Sequence, residues 1–200
     1  MPNAAGPEPG AAWEGGWWRE ARRVESPNFG PRPAATDITL ALIHSISLPP
    51  GIYGSDAVER LFTNRLHWDA HPYFRRIRGL TVSSHFFIRR DGEVVQFVSG
   101  DERAWHAGPS SWRGRDNCND YAIGIELEGL EGEHFERAQY DALLRLLPAL
   151  AARYPIADVA GHEHVAPGRK IDPGPGFDWA RVASALAASA ATSRIAVAAH

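Results

Sequence analysis

Three side chains have the types and settings of a metal site. His44 ends an apolar run, while His162 and Asp172 share a segment rich in glycine and proline. Two imidazoles and one carboxylate suit a zinc ion that keeps a fourth position for water. His162 with His164 is a competing pair, because residues two apart in an extended chain point the same way. Since the spacing matches no general metal motif, it leaves both alternatives open.

A carboxylate and a lysine could supply the remaining chemistry. The segment 122–129 alternates, so Gly124, Glu126 and Glu128 share the face opposite its large apolar side chains. A carboxylate there could take a proton from an attacking water and return it to a leaving amine, but the alternation does not separate the two glutamates. Lys170 is the one lysine among 21 basic residues and could stabilise an oxyanion.

A tryptophan-rich stretch and the one cysteine offer weaker candidates. Trp105 and Trp112 flank His106. Aromatic faces can pack on a substrate, although packing in the core is the commoner role of tryptophan. Cys118 with His106 would make a thiol amidase. Because nothing around Cys118 favours a lowered thiol pKa, a small buried thiol is the preferred interpretation.

Length and composition predict one soluble domain. The chain has 200 residues, of which 44% are hydrophobic and 22% charged. Its net charge of -3 argues against a nucleic-acid partner, and the single cysteine excludes an internal disulfide. No stretch approaches the ~20 apolar residues of a membrane span. Because the N-terminus lacks the basic start and apolar core of a signal peptide, we expect a cytoplasmic protein.

Local patterns predict strands and helices interspersed around one sheet. We expect a buried strand over 38–44 that ends on His44, and a type I′ hairpin at Asp91-Gly92. The helical pattern of 136–153 contains Pro148, which should kink or interrupt it. The other expected elements are a short helix with Ser55 as N-cap that runs to about Asn64, a strand over 122–129, a short strand and long rigid loop within 159–176, and a last helix from 178.

The predicted fold class is therefore α/β (α+β), a single domain with a central mixed β-sheet flanked by helices. We expect residues 1–16 to be a disordered extension, 17–188 to form the domain, and 189–200 to be a frayed alanine-rich tail.

Nine segments in order resemble the AmpD-type N-acetylmuramoyl-L-alanine amidases of the amidase_2 family, which are similar to peptidoglycan-recognition proteins. They span roughly residues 16–182. The segments are ARRVESPNFGPRP, LIHSISLPPG, LFTNRL, DAHPYF, VSSHFFIRRDGEVVQ, RAWHAGPSSW, CNDYAIGIELEG, GHEHVAPGRKIDPGP and FDWAR.

The resemblance implies one zinc ion per chain and a set of site residues. The implied functional positions are His44, His162 and Asp172 as zinc ligands, Glu126 as acid/base, Lys170 as oxyanion stabiliser and Trp105 as a pocket wall. It implies no ligand role for His164 and no acid/base role for Glu128. The implied substrate is a small muropeptide, cleaved between the muramic lactyl group and L-alanine; in the cytoplasmic branch the sugar is the 1,6-anhydro form. No obligatory protein partner is implied.

Three substrate-contact positions depart from the family pattern. Ser45 replaces an asparagine, while Thr81 and Asn117 each replace an arginine. Losing two cations should weaken anchoring of the peptide, by roughly 1.5–3 kcal/mol for each charge-assisted contact. The alternatives are an exported or phage-type amidase that acts on intact wall, and a muropeptide-binding module without catalysis. All five implied metal and catalytic residues are present, which argues against the binding module.

Overall fold

The structure, a computed structural model, describes residues 12–198. Its strands are β1 (Trp13–Glu14), β2 (Trp17–Trp18), β3 (Arg22–Arg23), β4 (Phe29–Gly30), β5 (Leu40–Ile46), β6 (Phe86–Ile88), β7 (Val94–Gln96), β8 (Arg103–Ala104), β9 (Ser111–Trp112), β10 (Arg115–Asp116), β11 (Ala122–Glu128), β12 (Asp158–Gly161) and β13 (Ala196–Val197). Its helices are α1 (Ala57–Phe62), α2 (Pro72–Arg76), α3 (Arg137–Arg153), α4 (His162–Val165) and α5 (Trp179–Ala187). Two 3₁₀ turns cover Trp68–Ala70 and Cys118–Asp120.

A seven-stranded sheet forms the centre of the fold, in the order β13-β12-β5-β11-β6-β7-β3. β5 lies between β12 and β11 and is parallel to both, whereas β6 and β7 are antiparallel. All seven residues of β11 are buried, because helices cover both faces, as parallel sheets require. The predicted α/β class with a central mixed sheet is confirmed.

Two apolar clusters hold helices against opposite faces of the sheet. On one face, Ile125 of β11 packs with Leu147 of α3 and Val182 of α5. On the other face, Phe87 of β6 packs with Phe62 of α1, in a cluster that also takes in α2. The alternation along β6 directs successive side chains into the two clusters, whereas along β11 it directs Ile125 into the first cluster and Glu126 to the opposite face. This two-sided burial fixes the register of the strands that position the site.

Local boundaries differ from the prediction at three places. β5 continues two residues beyond His44, so that histidine lies inside the strand. α1 begins at Ala57 after Asp56, while the Ser55 hydroxyl accepts a hydrogen bond from the Ala57 N–H. α3 runs through Pro148 without interruption, since the proline removes one backbone donor while the helix keeps its buried leucine face.

The hairpin between β6 and β7 is not the predicted type I′ turn. That turn needs positive φ at both central residues, yet of Asp91 and Gly92 only Gly92 has one, at 89°. The Arg89 N–H donates to the Glu93 carbonyl, and the Gly92 N–H donates to the Arg89 carbonyl. The connection is therefore a three-residue loop with glycine in the left-handed position.

Both expected chain ends differ from the structure where it describes them. Trp13 is buried and packs edge-on against Tyr154, so residues 12–16 belong to the domain. The remainder of the expected extension, 1–11, lies outside the described residues. At the other end β13 pairs with β12, and Thr192 and Ile195 are buried. Buried side chains and strand pairing therefore order 189–198, and 199–200 lie outside the described residues.

Within residues 12–198, none of the helices combines the length and apolar character needed to cross a membrane.

Truncation after Ala188 should lower the free energy of unfolding by at least about 2 kcal/mol, because it removes β13 and the buried Ile195 side chain. Urea denaturation measures this loss. Truncation after Ala198 is the matched control and should leave the midpoint unchanged. Equal midpoints for the two truncations would show that 189–198 is a frayed tail after all.

Candidate metal centre and active site

Parallel pairing brings the two histidines to the same edge of the sheet. Gly161, the last residue of β12, lies opposite Ile43 of β5. His162 follows as the first residue of α4, and it therefore reaches the level of His44. The Asp172 carbonyl accepts a hydrogen bond from the Glu163 N–H, which folds the following loop back over the helix. His162 and Asp172 lie 118 and 128 positions after His44 in the sequence, and the fold makes them its neighbours.

The donor atoms of these three residues form a small triangle. His44 Nδ1 lies 2.9 Å from His162 Nδ1 and 3.2 Å from Asp172 Oδ2. The third edge, from His162 Nδ1 to Asp172 Oδ2, is 3.1 Å. Bonds of 2.0–2.1 Å to a tetrahedral zinc ion would separate ligand atoms by about 3.3 Å. Two nitrogens and one carboxylate oxygen at this spacing fit zinc in both chemistry and size.

The burial of the triangle favours the protonation states that a metal needs. Burial, followed by the charge of the neighbouring His162, lowers the pKa of His44 to about 4, so His44 is neutral at pH 7. Burial alone would raise the pKa of Asp172, but hydrogen bonding with His162 and His44 holds it below its usual range. A neutral imidazole and an ionised carboxylate are the forms that coordinate metal.

His164 is not part of this triangle. The notion of a His162/His164 pair assumed an extended chain, whereas both residues lie in the single turn of α4. The His164 ring instead contacts Trp179, and its Nδ1 accepts a hydrogen bond from the Gly161 N–H. Among residues 12–198, His44, His162 and Asp172 form the one group of three or more ligand-type side chains close enough to hold a metal ion.

Glu126 lies beside the triangle on the neighbouring strand. In the parallel register it is directly opposite His44, so the two side chains share one face of the sheet. Burial, followed by the charge of Asp172, raises the pKa of Glu126 well above its ordinary value, while Lys170 lowers it. Within the described chain, Glu126 Oε2 is buried and has no hydrogen-bond partner. A carboxylate held this way is available to exchange a proton with a substrate.

Glu128 has a structural role, which separates the two glutamates that the alternation left equivalent. Its Oε1 accepts a hydrogen bond from the Gly54 N–H at 2.6 Å, and its Oε2 accepts one from the Arg90 N–H at 3.1 Å. Both carboxylate oxygens are thus engaged in holding two loops. Glu128 does not line the cavity described next.

A cavity of about 530 Å³ opens onto the triangle and brings most predicted site residues together. Besides the three metal-ligand candidates, it is lined by the predicted residues Ser45, Thr81, Trp105, Glu126 and Lys170. Asn117 is the exception: it lines a neighbouring depression with Arg103, which donates to its side-chain oxygen. The sequence analysis missed Tyr73, which also lines the cavity. It lies in the DAHPYF segment, but its spacing gave no functional signal.

The thiol alternative finds no support in the geometry. Cys118 is fully buried, does not line the cavity, and contacts the Tyr121 hydroxyl at 3.3 Å. His106, its supposed partner, instead places Nδ1 3.0 Å from Nε2 of His44. Trp112 also lies outside the cavity lining and packs in the apolar cluster around Cys118.

Comparisons with known proteins show the family of this chain. Residues 34–175 match the Amidase_2 family, described as N-acetylmuramoyl-L-alanine amidase. The chain is 52% identical over 168 residues to the 1,6-anhydro-N-acetylmuramyl-L-alanine amidase AmpD of Citrobacter freundii, covering 83% of this chain and 90% of that protein. A crystal structure of a selenomethionine AmpD derivative superposes with a TM-score of 0.83 at 51% identity, covering 86% of this chain and 97% of the other.

A second solved structure contains a ligand. It is the Escherichia coli N-acetylmuramyl-L-alanine amidase AmiD in complex with the substrate anhydro-N-acetylmuramic acid-L-Ala-D-gamma-Glu-L-Lys. The TM-score is 0.56 at 31% identity, covering 76% of this chain and 59% of that one. Together, the family match and the extent of the likeness to AmpD show that this chain belongs to the Amidase_2 family.

The different surroundings of the two glutamates predict different effects on stability. Glu128→Gln should lower the free energy of unfolding by about 1–3 kcal/mol, because one amide oxygen cannot satisfy both backbone N–H groups. Glu126→Gln is the matched variant and should cause no loss. A pKa raised by folding means that ionised Glu126 opposes folding at neutral pH, and the amide removes that charge.

Urea denaturation at pH 7, with chelator present in every sample, measures both variants. Equal losses for Glu126→Gln and Glu128→Gln would contradict the assignment.

Proposed function

We propose that this protein is a zinc-dependent amidase of peptidoglycan recycling. It hydrolyses the amide between the lactyl group of 1,6-anhydro-N-acetylmuramic acid and L-alanine. The observation that carries the proposal is the convergence of His44, His162 and Asp172 beside the unpartnered Glu126 carboxylate in one cavity. Membership of the Amidase_2 family and the likeness to AmpD support the substrate class.

Glu126 is the group that moves the proton. A bound zinc ion would supply Lewis acidity and lower the pKa of a water molecule. Glu126 takes a proton from the water as its oxygen adds to the lactyl carbonyl carbon. It then delivers that proton to the alanine nitrogen as the C–N bond breaks, which leaves a lactyl carboxylate and a free peptide amine.

Lys170 and Trp105, from two different segments of the chain, complete the site. Lys170 is exposed and lines the cavity, and its ammonium group donates to the oxyanion that develops on the attacked carbonyl. Its charge also lowers the pKa of Glu126, which favours the ionised form that accepts the proton. Trp105 is partly buried in the cavity wall and offers an apolar surface to the substrate.

The proposed setting is the cytoplasm, with a small muropeptide as the partner and no obligatory protein partner. A recycling enzyme needs to bind only a short glycopeptide, and a cavity of about 530 Å³ is of the size that encloses small ligands. No nucleic-acid partner is proposed, in keeping with the net charge of -3.

Purified, zinc-replete protein should release free peptide from an anhydromuramyl tripeptide, and a zinc chelator should abolish release. Glu126→Gln should lower kcat at least 100-fold, as expected for loss of a general acid/base. It should keep its zinc, whereas Asp172→Ala should lose zinc and activity together. Peptide release by chromatography and metal content by atomic absorption separate the two effects.

Other outcomes would redirect the proposal. Cleavage of non-anhydro muropeptides alone would keep the chemistry and contradict the recycling role. No cleavage of either substrate by zinc-loaded protein would favour a muropeptide-binding module.

Thr81 and Asn117, the two positions where the family pattern has arginine, differ in their relation to the cavity: only Thr81 lines it. Thr81→Arg should raise kcat/KM for the tripeptide tenfold or more, because a charge-assisted contact of ~1.5–3 kcal/mol corresponds to at least that factor. Asn117→Arg is the matched control, since Asn117 lies outside this cavity and has a φ of 59°, which suits asparagine better than arginine. No change in kcat/KM for Thr81→Arg would refute the anchoring argument.

A further inference from the structure

The dipeptide His106–Ala107 contacts both histidines of the triangle. It does so at their Nε2 atoms, which face away from the metal site. His44 Nε2 lies 3.0 Å from His106 Nδ1. His162 Nε2 lies 2.9 Å from the Ala107 carbonyl oxygen. Two adjacent residues of one loop therefore form the outer contacts of two candidate ligands, one on β5 and one at the start of α4.

These contacts determine where each ligand imidazole carries its proton. Both rings present Nδ1 to the triangle, so a neutral ring that binds metal there must hold its proton on Nε2. The Nε2–H of His162 then donates to the Ala107 carbonyl, and the Nε2–H of His44 donates to His106 Nδ1. Outer partners of this kind fix the tautomer and the orientation of metal-binding histidines.

The dipeptide is itself held by one side chain. Asn119 Oδ1 accepts hydrogen bonds from the His106 N–H at 3.1 Å and the Ala107 N–H at 2.8 Å. Asn119 is 6% exposed and lies in the 3₁₀ turn Cys118–Asp120 just before β11. Its own carbonyl accepts from Arg32 Nη1, so its position is fixed from the other side.

Two further contacts hold the ends of the dipeptide. The His106 ring packs over Gly124, where a Cβ atom would come within 2.6 Å of the ring. Arg169 donates to the Ala107 carbonyl at 2.6 Å, alongside His162. Neither of these contacts involves the backbone N–H groups of His106 and Ala107, whose acceptor is Asn119 Oδ1.

We propose that Asn119 is a positioning residue for zinc: by accepting both N–H groups of His106–Ala107, it holds the acceptors that orient His44 and His162. The inference rests on the zinc site of the proposed function. Within residues 12–198, Asn119 makes no hydrogen bond to either ligand histidine, and its side-chain oxygen reaches them through the dipeptide. Replacing it by an apolar side chain of similar size would leave two backbone N–H groups without their acceptor.

The test compares zinc affinity across a set of variants by competition with a chromogenic chelator. Asn119→Leu should weaken zinc binding 10–100-fold, the usual range for loss of an outer partner. Asn119→Asp keeps the accepting oxygen and should bind within about threefold of the wild type, since a carboxylate accepts N–H groups at least as well. Should Asn119→Leu not fold, Asn119→Ser serves, because its shorter side chain cannot accept both N–H groups.

Two controls distinguish positioning from general destabilisation. Cys118→Ala changes the buried neighbour of Asn119 but keeps the two hydrogen bonds that Asn119 Oδ1 accepts from His106 and Ala107. It should therefore lower stability and leave zinc affinity unchanged. Long-range ¹H–¹⁵N spectra of the zinc-loaded protein should show Nε2–H signals for His44 and His162. These should broaden or exchange faster in Asn119→Leu, but not in Cys118→Ala.

The outcomes separate this inference from the proposed function. Tight zinc binding by the wild type, lost in Asp172→Ala, together with unchanged affinity in both Asn119→Leu and Asn119→Ser, overturns the role of Asn119 alone. Equal losses in Asn119→Leu and Cys118→Ala also overturn it. Absence of zinc binding by the wild type overturns the proposed function, and this inference with it.

Discussion

The parallel pairing of β5 with β12 and β11 is the constraint on which the site depends. Register places Glu126 opposite His44 on one side and brings Gly161, the residue before His162, opposite Ile43 on the other. A slip of one residue in either pair would turn one of these side chains to the opposite face. The register is held by burial on both faces, so the apolar clusters that stabilise the fold also set the ligand distances.

The same buried edge contains two carboxylates whose charges affect folding in opposite directions. Asp172 and Glu126 are 5% and 7% exposed, and each carries a carboxylate out of water. Asp172 is compensated by its two histidines, whereas Oε2 of Glu126 has no partner within residues 12–198. Glu128, two residues on, shows what a purely structural carboxylate looks like in this strand: both of its oxygens accept backbone N–H groups. An unsatisfied carboxylate beside a satisfied one indicates a group kept for chemistry rather than for stability.

The sequence predicted the class of fold, and most of its predicted site residues line the cavity, because alternation and the resemblance act on local segments. Alternation alone did not separate Glu126 from Glu128, since it gives a face and not the partners on it; only the resemblance favoured Glu126. The type of the hairpin turn was mispredicted, and Pro148 does not interrupt α3, because propensity at one position yielded to the packing of the whole element. The order of 12–16 and of 189–198 depends on contacts such as Trp13 with Tyr154, which join residues 141 positions apart and leave no local pattern.

The candidate metal ligands and Glu126 lie on a different part of this fold from Thr81, the position expected to affect peptide specificity. His44 and Glu126 stand on parallel strands, His162 begins α4, and Asp172 lies in the loop after it, where register and buried contacts fix them. Thr81 lies on the segment between α2 and β6, is exposed, and makes no contact with the triangle. Substitution at such a position changes what the cavity wall offers to a peptide while leaving the ligand distances intact. A change at Thr81 would therefore leave the candidate metal ligands and Glu126 in place.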